Sequence, residues 1–165
     1  MPSPTLPSNP KAPERAQLER LLNTAETICN KAGFKLTELR RQVLSIIWLY
    51  GKPIGAYDIM AELEKISDRE QVAPPTVYRS VEFLLQQGLI HRIHSLNAFM
   101  AKRHLLKNQV EALFICQNCG EAREVTNQVF QQAINLSANE MKFHIQGQAV
   151  EVLGQCQNCR NKGSK

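Results

Sequence analysis

Two close cysteine pairs, Cys116-x-x-Cys119 and Cys156-x-x-Cys159, constrain this chain more than any other feature. Each pair ends a segment that reads as a strand, or follows one directly. Each knuckle therefore aims two thiolates at one point, and two knuckles complete a tetrahedron with Zn–S near ~2.3 Å. The 36 residues between the pairs exceed the ~15–20 of a compact zinc ribbon, so a folded strand-helix-strand unit must return the second pair to the first. The expected cofactor is one structural Zn2+ per chain on Cys116, Cys119, Cys156 and Cys159, a staple across the C-terminal domain. Two disulfides are disfavoured by the expected compartment. A thioredoxin-like redox motif is disfavoured because neither pair is expected to open a helix.

The fifth cysteine, Cys29, falls on the apolar face of a helical segment and reads as a small core residue. Five is also not the even count of a secreted disulfide framework, and Met1-Pro2-Ser3-Pro4 has neither the basic nor the apolar region of a signal peptide. The expected location is the reducing cytoplasm, with no membrane partner, because no apolar run approaches the ~18 residues of a spanning helix. The formal charge of +5 suits a polyanionic partner without demanding one. Around the metal, four thiolates and one zinc would carry two negative charges, which Arg123, Arg160 and Lys162 are expected to offset.

Residues 1–13 hold five of the eight prolines and read as a disordered tail. From 14 to 103 the pattern is that of a winged helix-turn-helix. Leu18, Leu21, Leu22, Ala25, Ile28 and Cys29 recur at helical spacing and stop at Gly33. A second helix is capped by Thr37, carries Val43, Leu44, Ile47 and Trp48 inward, and ends at Gly51. A third, from about Tyr57 to Ile66, should bury Ile59, Met60, Leu63 and Ile66. The charged loop Ser67-Asp68-Arg69-Glu70 then leads to Pro74-Pro75 and a fourth helix, with Val77, Val81, Leu84 and Leu85 inside and Arg79, Ser80, Glu82 and Gln86 outside. Past Gly88 the period changes. Leu89 to His94 and Ala98 to Lys102 read as a hairpin about Ser95-Leu96-Asn97, the wing.

Residues 104–160 read as a small α/β dimerisation domain: strand Ala112 to Cys116, strand Glu121 to Val125, helix from about Gln128 to Met141, strand Gln148 to Leu153, then a tail over 161–165. A sheet with one helix leaves a face and edges to cover, and a homodimer covers them economically. The fold class is thus α+β, an N-terminal winged helix-turn-helix followed by a dimerisation domain with a four-cysteine zinc site.

The run Pro74-Pro75-Thr76-Val77-Tyr78-Arg79-Ser80-Val81-Glu82-Phe83-Leu84-Leu85-Gln86-Gln87-Gly88-Leu89-Ile90-His91 resembles the recognition helix and wing of the Fur family. Gly55-Ala56-Tyr57-Asp58-Ile59, Leu36-Thr37-x-x-Arg40 and Leu113-Phe114-Ile115-Cys116-x-x-Cys119-Gly120 are similar to its zinc-uptake (Zur) branch, so the likeness spans about residues 18–160. It implies a dimer that binds a double-stranded DNA operator when loaded with metal and represses metal-uptake genes. Tyr57 and Arg79 match the positions that read bases, with Thr76 and Tyr78 beside Arg79 on the DNA-binding helix. A guanidinium there can bond guanine O6 and N7 in a bidentate way.

The resemblance also implies a second, regulatory metal, held by a His, a Cys, a His and a Glu. His91 and Glu124 match the first and last, but Lys102 and Gln109 stand at the other two positions. His104, in the connecting segment, is the candidate substitute, which makes His91, His104 and Glu124 the expected regulatory set. An ammonium at Lys102 would repel a metal ion and attract Glu124. The leading reading is a Zur-like repressor whose sensing site is altered or lost. The alternatives are a metal-independent Fur-family regulator and a zinc-stapled interaction module. An enzyme is not expected and no catalytic residue is assigned, because four cysteines close the coordination sphere that a zinc hydrolase must keep open.

Overall fold

The computed structural model describes residues 15–66, 73–103, 105, 111–146 and 148–162. The 1–13 tail, the Ser67–Glu70 loop, Gln109, His104 and residues 163–165 lie outside the described residues. The chain divides into two compact units, Met1–Leu105 and Leu106–Lys165.

The first unit contains α1 (Arg15–Lys31), α2 (Glu38–Tyr50), α3 (Ala56–Ile66), α4 (Pro74–Gln86) and the antiparallel hairpin β1 (Ile90–Ile93) and β2 (Ala98–Ala101). Its helices form where apolar residues recur at three and four, and those stripes meet in one core built from Leu22, Val43, Leu44, Ile59, Leu84 and their neighbours. Cys29 belongs to this core, and burial pushes its thiol up from the ordinary 9.0. Gly33 and Gly88 end α1 and α4 at φ 78° and 65°. Each leaves the next residue to donate back five positions, Phe34 to Cys29 and Leu89 to Leu84, which satisfies carbonyls that the helix end would strand.

The structure corrects three sequence expectations here, Ile66, Ser80 and His94, and bears out a fourth, Thr37, in position only. Ile66 is 59% exposed rather than buried, because it is the last residue of α3 and extends beyond the turn that carries Ile59 and Leu63 into the core. Ser80 is 4% exposed rather than outward; its hydroxyl donates to the Thr76 carbonyl at 2.9 Å, which lets a small polar residue sit inside. Thr37 occupies the N-cap position of α2 without a side-chain cap bond. His94 lies in the hairpin turn rather than on the strand. That turn closes at Asn97 with φ 47°, a left-handed geometry that asparagine tolerates. The hairpin gains a further rung from Ile54, which exchanges two backbone bonds of 2.9 Å with Phe99.

The second unit is a three-stranded sheet in the order β4-β3-β5, from β3 (Glu111–Cys116), β4 (Ala122–Thr126) and β5 (Val150–Gly154), with α5 (Gln128–Glu140) between β4 and β5 in sequence. β3 pairs antiparallel with β4 and parallel with β5. Asn127 caps α5, its side chain accepting from the Val129 N–H at 2.8 Å. A short α6 (Gln157–Lys162), unforeseen in the sequence pattern, follows β5 and includes residues 161 and 162.

Candidate metal centre and nucleic-acid interface

The parallel pairing of β3 with β5 sets Cys116 opposite Gly154. Both strands therefore finish at the same end of the sheet, and the turns that follow them lie side by side. The ladder continues past the strands, with Gln117 N donating to the Gly154 carbonyl at 2.8 Å. Gln155 Nε2 then reaches Asn118 Oδ1 at 3.0 Å, which ties one knuckle to the other. Within the first knuckle Gly120 N closes back on the Cys116 carbonyl at 2.9 Å.

The result is that the Sγ atoms of Cys116, Cys119, Cys156 and Cys159 all lie within 4.8 Å of one another. Cys119 Sγ and Cys156 Sγ are 3.8 Å apart. A tetrahedron with Zn–S of ~2.3 Å has an S···S edge of ~3.8 Å, so the donor set fits a thiophilic ion of zinc's size. The second pair does open a helix, against expectation: Cys156 immediately precedes α6 and Arg160 N donates to its carbonyl at 3.0 Å. Six residues suffice to turn Cys159 back toward Cys156, a local use of helix geometry that strand periodicity could not reveal.

The thiols are unequal. The backbone N–H of Cys156, followed by that of Cys119, pulls Cys116 from 9.0 down to about 6. Hydrogen bonding to Cys156, then to Cys119, pushes Cys159 up to about 12. Cys119 is also raised; the Glu121 N–H lowers it, but burial and the Cys116 thiol outweigh that. One thiolate is thus ready, while the raised Cys119 and Cys159 thiols hold their protons until a cation takes their place. Arg123, expected to offset the centre's charge, pairs instead with Glu121 at 2.7 Å, so its charge is compensated locally.

The basic charge sits in the first unit. Residues 1–105 carry 14 Lys and Arg against 10 Asp and Glu, and residues 106–165 carry 6 against 5. Within that unit α4 begins with Pro74 and Pro75, whose fixed φ suits a first helical turn. Arg79 and Tyr78 are exposed on it. Thr76 is half-buried, and its N–H and carbonyl serve Ala73 and Ser80. Tyr57, 72% exposed, stands in the first turn of α3. The rung between Ile54 and Phe99 fixes the start of that turn to the hairpin. Of the regulatory candidates, His91 is half-buried on β1 opposite Met100, and Glu124 is half-buried on β4 opposite Leu113. They belong to different units.

The family profile described as "Ferric uptake regulator family" matches residues 31–153. The chain belongs to this family. It is 33% identical over 148 residues to the zinc uptake regulation protein of Escherichia coli (strain K12), covering 88% of this chain and 85% of that protein. Among solved structures, a zinc uptake regulator complexed with zinc and DNA superposes with a TM-score of 0.82 at 31% identity, covering 90% of this chain and 98% of the other. A structure of holo XcZur follows with a TM-score of 0.75 at 31% identity, covering 86% and 98%. Within the Fur family the likeness is to the zinc uptake branch. As a member of the family the chain is a DNA-binding transcriptional regulator and not an enzyme. No helix among the described residues is long and apolar enough to cross a membrane.

Sequence reasoning missed one feature next to α4. The Arg40 guanidinium lies 3.5 Å over the centre of the Phe83 ring, and its Nη1 donates to the Lys35 carbonyl at 2.9 Å. Phe34 packs edge-on against the same ring at 6.1 Å. The visible signal was Leu36-Thr37-x-x-Arg40 itself, an arginine in a first helical turn where the dipole favours acids.

Proposed function

We propose that this chain is a homodimeric repressor of metal-uptake genes that reads a double-stranded operator through α4 and carries one structural Zn2+ on Cys116, Cys119, Cys156 and Cys159. The observation that carries the reading is the likeness, over 90% of the chain, to a regulator solved with zinc and DNA. The exposed Arg79 and Tyr57 and the basic balance of the first unit agree with it. When bound, the ion supplies a structural cross-link and no reactive position. The residues themselves hold the knuckles in register through the ladder from β3 to β5.

The dimer is supported by the second unit's uncovered apolar surface. Val129, Leu136, Met141 and Phe143 are exposed, and an open groove of about 390 Å³ runs past Ile134, Ala138 and Ile145. A single 60-residue unit cannot leave that much apolar side chain in water without cost, and a second copy removes it.

A second reading concerns regulation: DNA binding that does not depend on a sensed metal. It is favoured by the ammonium of Lys102, which stands where the family has a thiolate, and by Gln109 where it has a histidine. The remaining candidates for a regulatory site are His91, His104 and Glu124. Mobility shifts on a metal-uptake promoter test both readings. Zinc-replete protein should retard the promoter. If chelation that spares the structural zinc abolishes the shift and zinc restores it, DNA binding is metal-dependent; an unchanged shift establishes the metal-independent form. No shift under either condition refutes the repressor.

A further inference from the structure

Arg40 and Arg41 are adjacent in the first turn of α2, yet their surroundings differ. Arg41 is neutralised by two carboxylates of α1, Glu19 at 2.7 Å and Glu26 at 3.5 Å. Arg40 has no carboxylate partner among the described residues. Among the described residues its one hydrogen bond is that to the Lys35 carbonyl. A guanidinium has five N–H donors, so four of Arg40's have no acceptor among the described residues. The group is half-buried and its plane is immobilised between the Phe83 ring and that carbonyl.

The position is as informative as the valence. Phe83 is four residues from Arg79 on α4, so the two occupy adjacent turns of one side of the helix. Arg40 therefore lies on the flank of the reading helix, one turn along from the arginine that faces the bases in the proposed function. Burying half of a charged group without a counter-charge is unfavourable unless an anion arrives. A planar fork that is already immobilised is the arrangement that binds an oxyanion bidentately with little further loss of side-chain freedom.

We propose that Arg40 is a phosphate clamp: it takes a backbone phosphodiester beside the groove into which α4 docks. This rests on the proposed DNA-binding function. The contact is to backbone and not to bases, so it adds affinity without sequence preference.

The test uses the full-length, zinc-replete protein and its Arg40→Gln variant. Glutamine keeps a donor for the Lys35 carbonyl but removes the charge and the fork. Binding to an operator duplex and to a random duplex is measured from 50 to 200 mM salt, with a thermal melt for each protein. The expected result is a folded variant, weakened by the same factor on both duplexes, whose plot of log affinity against log salt is less steep by about 0.9 per chain. Arg40→Met, which keeps an apolar stem on Phe83, replaces the glutamine variant if that one does not fold. An unchanged salt slope in a folded variant overturns the clamp, and so does a loss confined to the operator. Failure of the parent protein to bind either duplex overturns the proposed function and the clamp together. A parent that binds with a variant of unaltered slope overturns the clamp alone.

Discussion

Replacing Cys119 by serine should unfold the second unit and leave the first intact. The first unit buries a cluster of nineteen apolar residues, including Trp48, Phe83 and Phe99. Among the described residues the second unit buries six: Ala112, Leu113, Ile115, Cys116, Ala122 and Ala138, three of them alanines. A single core in a unit of this size supplies no more than ~3–5 kcal/mol, and this one is poor in large side chains. A structural zinc site contributes ~10–16 kcal/mol of apparent binding free energy, which is also folding free energy. Loss of one of four thiolates therefore removes more stabilisation than the apolar core can replace, even if a three-cysteine site keeps part of it. Hydrogen exchange resolved along the chain reads this directly, alongside zinc content per chain. In Cys119→Ser the amides of β3, β4 and β5 should exchange at rates near those of an unfolded chain, while α2 and α4 stay protected. A variant that keeps one zinc per chain and full protection in β3 would refute the argument that the metal holds this unit together.

Metal affinity should fall as pH falls, because zinc displaces protons from thiols. At neutral pH Cys116, held at about 6, is already a thiolate, whereas Cys119 and Cys159, both raised, must each release a proton. Affinity should therefore drop by about a hundredfold or more per pH unit, and more steeply below pH ~6 as Cys116 also protonates; a chelator competition that is flat between pH 6 and 8 would contradict this. Arg79→Ala should lower operator affinity by ~1–3 kcal/mol while leaving random DNA almost unaffected. Equal losses on both duplexes would remove Arg79 from base reading. Lys142 ends α5 at φ 53°, in the left-handed region, with Phe143 N donating to the Ala138 carbonyl at 2.8 Å. Lys142→Gly should relieve that conformation and raise the stability of the zinc-loaded protein by ~1 kcal/mol in thermal melts, and a lower melting temperature would count against it.

The helices of the first unit were legible in the sequence because a stripe such as Val43, Leu44, Ile47 and Trp48 is a local periodicity, and Gly33, Gly51 and Gly88 are local stops. The four-cysteine cluster was legible for a similar reason: a two-residue spacing places two thiols on one turn wherever that turn sits. Depth of burial was not legible. The same spacing that sent Ile59 and Leu63 inside also nominated Ile66, which extends past the core, and Ser80's polarity hid a position that packing encloses. Nor could composition foresee α6, or that Arg40 would lie on Phe83 43 residues away. By itself the sequence determined which faces are apolar, where helices stop and which sulfurs are available. Only the tertiary structure decided how deep each face goes, that β3 and β5 end together so that four sulfurs meet, and that of two adjacent arginines Arg41 meets two carboxylates while Arg40 meets none among the described residues. Burial depth and charge compensation are set by neighbours distant along the chain, and no local pattern encodes them.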